Sequence, residues 1–149
     1  MQTETEKTYL RARVQNASSA GLVIILLDML IADLERAKAA MAEGSVEKRA
    51  AELKHAFVVL QQLDDSLDRE NGGEAAQTFS SFYSAIRAKV LEAHIKISPE
   101  ILSHQIELLF QIRQAWQQAD RAAIESVTVA MPVDRTSSAE ENRHAHWTA

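Results

Sequence analysis

Apolar residues recur three and four positions apart through four long stretches of the chain. On a wheel of about 100° per residue, Glu74–Ile97 gathers Phe79, Phe82, Tyr83, Ile86, Val90, Ala93 and Ile97 on one stripe and leaves Arg87, Lys89 and Glu92 off it. That is the pattern of a helix that buries one face. Val46–Arg69 repeats it over a wider arc with Val46, Ala50, Leu53, Phe57, Leu60, Leu63 and Leu67. Pro99–Val127 does so with Ile101, Leu108, Leu109, Ile112, Trp116, Ala119 and Ala123. In Ser19–Glu43 the core face is Leu22, Val23, Leu26, Leu27, Leu30, Leu34, Ala37 and Met41. Only Gly44-Ser45, Asn71-Gly72-Gly73 and Ser98-Pro99 punctuate these stretches. The Ser98 hydroxyl suits an N-cap, and Pro99 suits the first helical position, where its missing donor costs nothing. Four amphipathic helices with short connections predict an all-α fold, an antiparallel up-down four-helix bundle.

The helical domain is expected over residues 1–127. Its start, Met1 to Asn16, is mostly polar and is expected to form a short helix or cap across the bundle, with Tyr9, Leu10 and Val14 as its sizeable apolar side chains. From about Thr128 the sequence loses periodicity, and residues 128–149 read as a disordered tail.

The first long helix has more apolar surface than one buried stripe needs. Ile24 and Ile31 form a second stripe one heptad apart, Ile25 and Met29 flank the other edge, and Asp33 falls at the rim of the core face. Either this helix is central and covered on several sides, or the surplus lines a groove for a partner.

Composition narrows the chemistry. The chain has 149 residues, no cysteine and a formal net charge of -5. Disulfides, thiolate metal sites and cysteine nucleophiles are excluded. The acidic balance removes the counterion-release term on which nucleic-acid binding depends and disfavours anionic lipid, so neither nucleic acid nor inserted lipid is an expected partner. The apolar run from Ala20 to Leu27 is interrupted by Asp28, well short of the roughly 20 residues that span a bilayer. With a polar, acidic start unlike a secretion signal, the chain is expected in the cytoplasm.

Glu52 and His55 have the Glu-x-x-His spacing of di-iron bundles, but no second such pair follows in the predicted helices, and the two read as a solvated helical pair. His144 and His146 fall in the tail and do not make a metal site. No phosphate-binding glycine loop or nucleophile elbow occurs. No enzyme and no cofactor is expected. A metal-dependent bundle enzyme and a self-associating structural or regulatory bundle are the rival readings.

One segment is more specific than periodicity. Ser66-Leu67-Asp68-Arg69-Glu70-Asn71-Gly72-Gly73-Glu74 resembles the S-L-D-x-E-x-G-G-E signature of the flagellar secretion chaperone family, FliS. Upstream, Tyr9, Val14, Ala17, Ser18 and Leu22 are similar to that family's entry into its first long helix, and Asp28 matches its aspartate there. Downstream, Tyr83, then Leu91-Glu92-Ala93 with Lys96, and Ile112-Arg113-Gln114-Ala115-Trp116 follow in the same order. Ser19, Leu27, Met29 and His94 depart from the pattern, and the middle two make the first long helix more apolar.

The bundle itself is expected to be monomeric when free, and the resemblance implies a non-enzymatic cytoplasmic chaperone. It would bind the C-terminal segment of flagellin, prevent early polymerisation and deliver the client to the cytoplasmic domain of the membrane export gate. It also implies that the segment bearing Tyr9, Leu10 and Val14 rests on the bundle as a cap and yields to the client. The expected client contacts are Ile24 and Ile31, on the surplus surface of the first long helix, together with Leu27 and Asp28.

Overall fold

The computed structural model describes residues 3–122. Among them the protein is all-helical with no strand. The helices are α1 (Glu4–Asn16), α2 (Ser19–Glu43), α3 (Val46–Asp65) and α4 (Gly73–Lys96), followed by α5, which begins at residue 99 and is still helical at 122. The expected helix end at Val127 and the tail lie outside the described residues.

Serines start three of these helices. The Ser18 hydroxyl accepts from the Gly21 N–H at 3.0 Å, Ser45 from Lys48 at 3.3 Å and Ser98 from Ile101 at 3.3 Å. Each satisfies one of the donors that a helix N-terminus leaves free. At its other end α2 stops on Gly44, whose φ of 72° is left-handed, a conformation glycine adopts without steric penalty. The end of α4 is costlier: Ile97 takes φ 52°, which for a β-branched residue costs on the order of 1–2 kcal/mol.

The core is drawn from α2 through α5. Leu27, Leu30 and Leu34 pack with Leu53, Leu60 and Leu63 of α3, Ile86 and Val90 of α4, and Leu102 and Leu109 of α5. Each fully buried leucine or isoleucine contributes about 1.5–3 kcal/mol of transfer free energy. Trp116 packs on this core with its ring centroid 5.4 Å from that of Phe79. Tyr83 is buried, and desolvation, with Asp64 adding to it, pushes its hydroxyl pKa up to about 12.

Several positions differ from the wheel. Leu22, Val46 and Ile97 are exposed. They sit in the first or last turn of their helices or just past it, where the facing helices no longer cover them. The expected end of α3 at Arg69 is corrected to Asp65. There the Ser66 hydroxyl donates to the Leu63 carbonyl at 2.7 Å, and the Asp68 carboxylate accepts the Asn71 N–H at 3.0 Å and its side-chain amide at 3.1 Å. These local bonds compete with the helix and win. Leu67, although off the helix, still packs against the core.

Candidate functional site

α1 is helical for local reasons. Thr3 and Glu6 form a capping box, with the Glu6 N–H donating to the Thr3 hydroxyl at 3.1 Å and the Thr3 N–H to the Glu6 carboxylate at 2.8 Å. Yet none of its 13 residues is buried. Its ion pair to the rest of the protein, Arg13 to Asp28 at 3.8 Å, joins side chains that are 39% and 33% exposed. Such a pair contributes roughly 0–1 kcal/mol.

Beneath α1 runs a groove of about 630 Å³ between α1, α2 and α3. Tyr9, Leu10 and Arg13 line it from above. Its floor on α2 is Ile25, Asp28, Met29 and Ala32, and beyond them Asp33 and Arg36 meet Glu52 and His55 of α3. The α1-facing part is thus mostly apolar, broken by the Arg13–Asp28 pair, and the part toward α3 is charged.

Asp28 ties three helices together. Its carboxylate accepts from both the Nε and Nη2 of Arg113 on α5, and it also faces Arg13 of α1.

At the charged end Asp33 is fully buried, not at a rim. One carboxylate oxygen accepts from Arg36 at 2.6 Å, and the other lies 2.6 Å from His55 Nδ1. The Arg36 Nε donates in turn to Glu52 at 3.0 Å. Burial raises the Asp33 pKa, and His55 and Arg36 pull against that rise. The expectation that Glu52 and His55 form a solvated helical pair is thus corrected: each reaches across to α2 instead. Among the described residues no three His, Asp or Glu side chains converge as metal ligands would.

The residues nominated from sequence separate into two groups. Tyr9, Leu10 and Asp28 line the groove, with Tyr9 66% exposed. Val14 is exposed on α1. Leu27 is wholly within the core and Ile31 belongs to it, while Ile24 is buried as well. Deep coverage, one of the two alternatives for the surplus stripe, therefore describes these three as the protein stands. The floor under α1 is instead the edge of Ile25, Met29 and Ala32. Ile25 and Met29 were visible as a flank of the stripe. Nothing in one helix's periodicity says which flank a separate helix will cover.

The Ser66–Glu74 segment lies elsewhere and its residues have identifiable work. A Cβ on Gly72 would sit 2.3 Å from the Asp68 carbonyl oxygen, so this glycine is needed for space. Gly73 needs its conformation, φ 53°. Glu74 lies in the first turn of α4, where a carboxylate suits the helix dipole. Glu70 is exposed, and hydrogen bonds from Asn71 hold the Asp68 carboxyl below its ordinary pKa.

Residues 1–123 match the family described as Flagellar protein FliS. This chain belongs to the FliS family. Its FliS relatives include the flagellar secretion chaperone FliS of Vibrio cholerae, 27% identical over 113 residues that cover 76% of this chain and 83% of the relative. The flagellar secretion chaperone FliS of Salmonella typhimurium is 29% identical over 106 residues, 70% of this chain and 78% of that one. FliSB of Pseudomonas aeruginosa, also a flagellar secretion chaperone, is 23% identical over 111 residues, 74% and 88% of the two chains. The FliS match includes α1, the groove and the Ser66–Glu74 loop, and none of the described helices is long and apolar enough to cross a membrane.

Proposed function

We propose that this FliS-family chain is a cytoplasmic flagellar export chaperone that holds the C-terminal segment of flagellin. In this reading it blocks premature polymerisation and presents the client to the cytoplasmic part of the export gate, without catalysis and without a cofactor. The four core helices act as an antiparallel up-down bundle within a domain of residues 1–127, monomeric when free.

The observation that carries the reading is α1: a helix that buries no residue yet overlies a groove with an apolar floor. A lid held this weakly can be replaced by a segment that covers Ile25 and Met29 better. A client segment disordered when free must recover its ordering cost from the area it covers. Asp28 stands within the groove. Ile24, Leu27 and Ile31 are proposed to support its floor from within, and to touch client only where α2 is uncovered further.

Titration of the full chain with a C-terminal flagellin segment tests this. Saturable one-to-one binding that tightens when residues 1–16 are removed is expected. A chain that binds no flagellin, or that only self-associates once the lid is removed, would overturn the reading.

A further inference from the structure

The charged end of the groove contains a buried group with no part in the lid or the core. Asp33 is 0% exposed, and a carboxylate taken wholly out of water is costly unless its oxygens are well satisfied. Here one oxygen takes the Arg36 Nη2 proton. The other, an acceptor when the group is ionised, can be satisfied by His55 Nδ1 at 2.6 Å only if that nitrogen carries the proton. In the neutral ring the lone pair is then on Nε2. The imidazole is about half exposed, lines the groove, and has no partner for Nε2 among the described residues.

A surface histidine needs no buried carboxylate to hold it. A histidine whose lone pair must point one way does, because the partner of one ring nitrogen fixes the tautomer of the other. The surrounding charge narrows what can meet that lone pair. Glu6, Asp28, Asp33 and Glu52 line the groove against Arg13 and Arg36, with Arg113 paired to Asp28 from α5, so a carboxylate approaching Nε2 meets both a lone pair and a net excess of one negative charge.

We propose that His55 is a specificity-determining hydrogen-bond acceptor for the docked client segment, with Asp33 as its positioning residue. The site selects a neutral donor, a hydroxyl or carboxamide side chain, and rejects a carboxylate at that position. This rests on the client-binding reading above and adds to it what the charged end of the groove recognises.

Two measurements on the full chain test it. Nitrogen-15 spectra of the His55 ring should show the proton on Nδ1 in the wild type, with that preference lost in Asp33→Asn. In titrations with the C-terminal flagellin segment, His55→Ala should weaken binding about tenfold. His55→Gln, which places an amide oxygen near the position of Nε2, should restore most of it. Both variants lose the bond to Asp33 and should melt lower than the wild type by a similar amount while remaining folded.

A wild-type ring protonated on Nε2, or unchanged binding by His55→Ala while the wild type binds normally, would overturn the inference and leave the chaperone reading standing. A wild type that binds no flagellin would overturn both. If Asp33→Asn fails to fold, the two His55 variants and the wild-type spectrum decide the matter alone.

Discussion

Two helices flank α2 and treat it differently. α3 drives Leu53, Ala56, Val59, Leu60 and Leu63 into the core and joins α2 through Asp33 and His55. α1 lies along another side of α2, has none of its own residues buried and is tied by a part-exposed ion pair. The first is a wall of the groove and the second is its lid. Their sequences already differ in kind: α3 has a leucine or valine at nearly every inward position, while α1 has Tyr9, Leu10 and Val14 among charges and amides. A helix of 13 residues is marginal in water by itself, so α1 depends on its groove much more than the groove depends on α1.

The contrast is broken most directly by truncation. Leu60→Ala in α3 should cost about 2–5 kcal/mol, read as a large fall in melting temperature, since it empties a site in the core. Leu10→Ala in α1 should change melting by less than about 0.5 kcal/mol. Equal losses would mean that α1 is structural.

A second test uses the buried joint between α2 and α3. Because the Asp33 pKa is raised from 3.8 on folding, the folded protein holds this proton more firmly than the unfolded chain does. Its contribution to stability is therefore fully present below the unfolded value and is lost as pH rises through the folded one. The melting difference between wild type and Asp33→Asn should accordingly shift against the wild type as pH rises through that window. A difference independent of pH would show that Asp33 titrates alike in both states.

Removing residues 1–16 should leave the helical signal of the remaining chain cooperative while raising apolar dye binding. If closing the lid contributes about 1 kcal/mol, its loss should tighten client binding about fivefold. Unchanged dye binding would count against a covering role. Smallest of all, Arg13→Ala should cost under about 0.5 kcal/mol and should matter even less as salt is added. A larger effect would make the link to Asp28 a true latch.

Much of this arrangement was legible in the sequence. The three breaks, the Ser98 cap and the core stripes of α2, α3 and α4 follow from spacing and turn chemistry, and α1 is visible as a polar segment with few apolar anchors. The errors share a physical origin. The wheel treats each helix as infinitely long and alone, so it cannot know that Leu22, Val46 and Ile97 outrun the core. It cannot tell that α1 will settle on Ile25 and Met29, not beside Ile24 and Ile31. Asp33 looked like a rim residue because a charge on a wheel has no partners, whereas the partners that permit its burial, Arg36 and His55, come from one turn away and from another helix. The end of α3 was misplaced for a related reason: Asp68 and Asn71 form their own turn, and helical periodicity in Leu67 outlasts the helix.

The capping box of α1 has a kinetic consequence. With Thr3 and Glu6 holding its first turn, the lid carries its own start signal and can re-form in about a microsecond or less once its groove is vacant. A second client at micromolar concentration, arriving at about 10⁵–10⁷ M⁻¹s⁻¹, takes a tenth of a second or longer. The emptied groove would thus be reoccupied from its own chain long before a competitor could reach it. Because the lid is worth only about 1 kcal/mol, it reopens about fivefold more slowly than it closes, so it would slow recapture of a departing client about fivefold and leave release reversible.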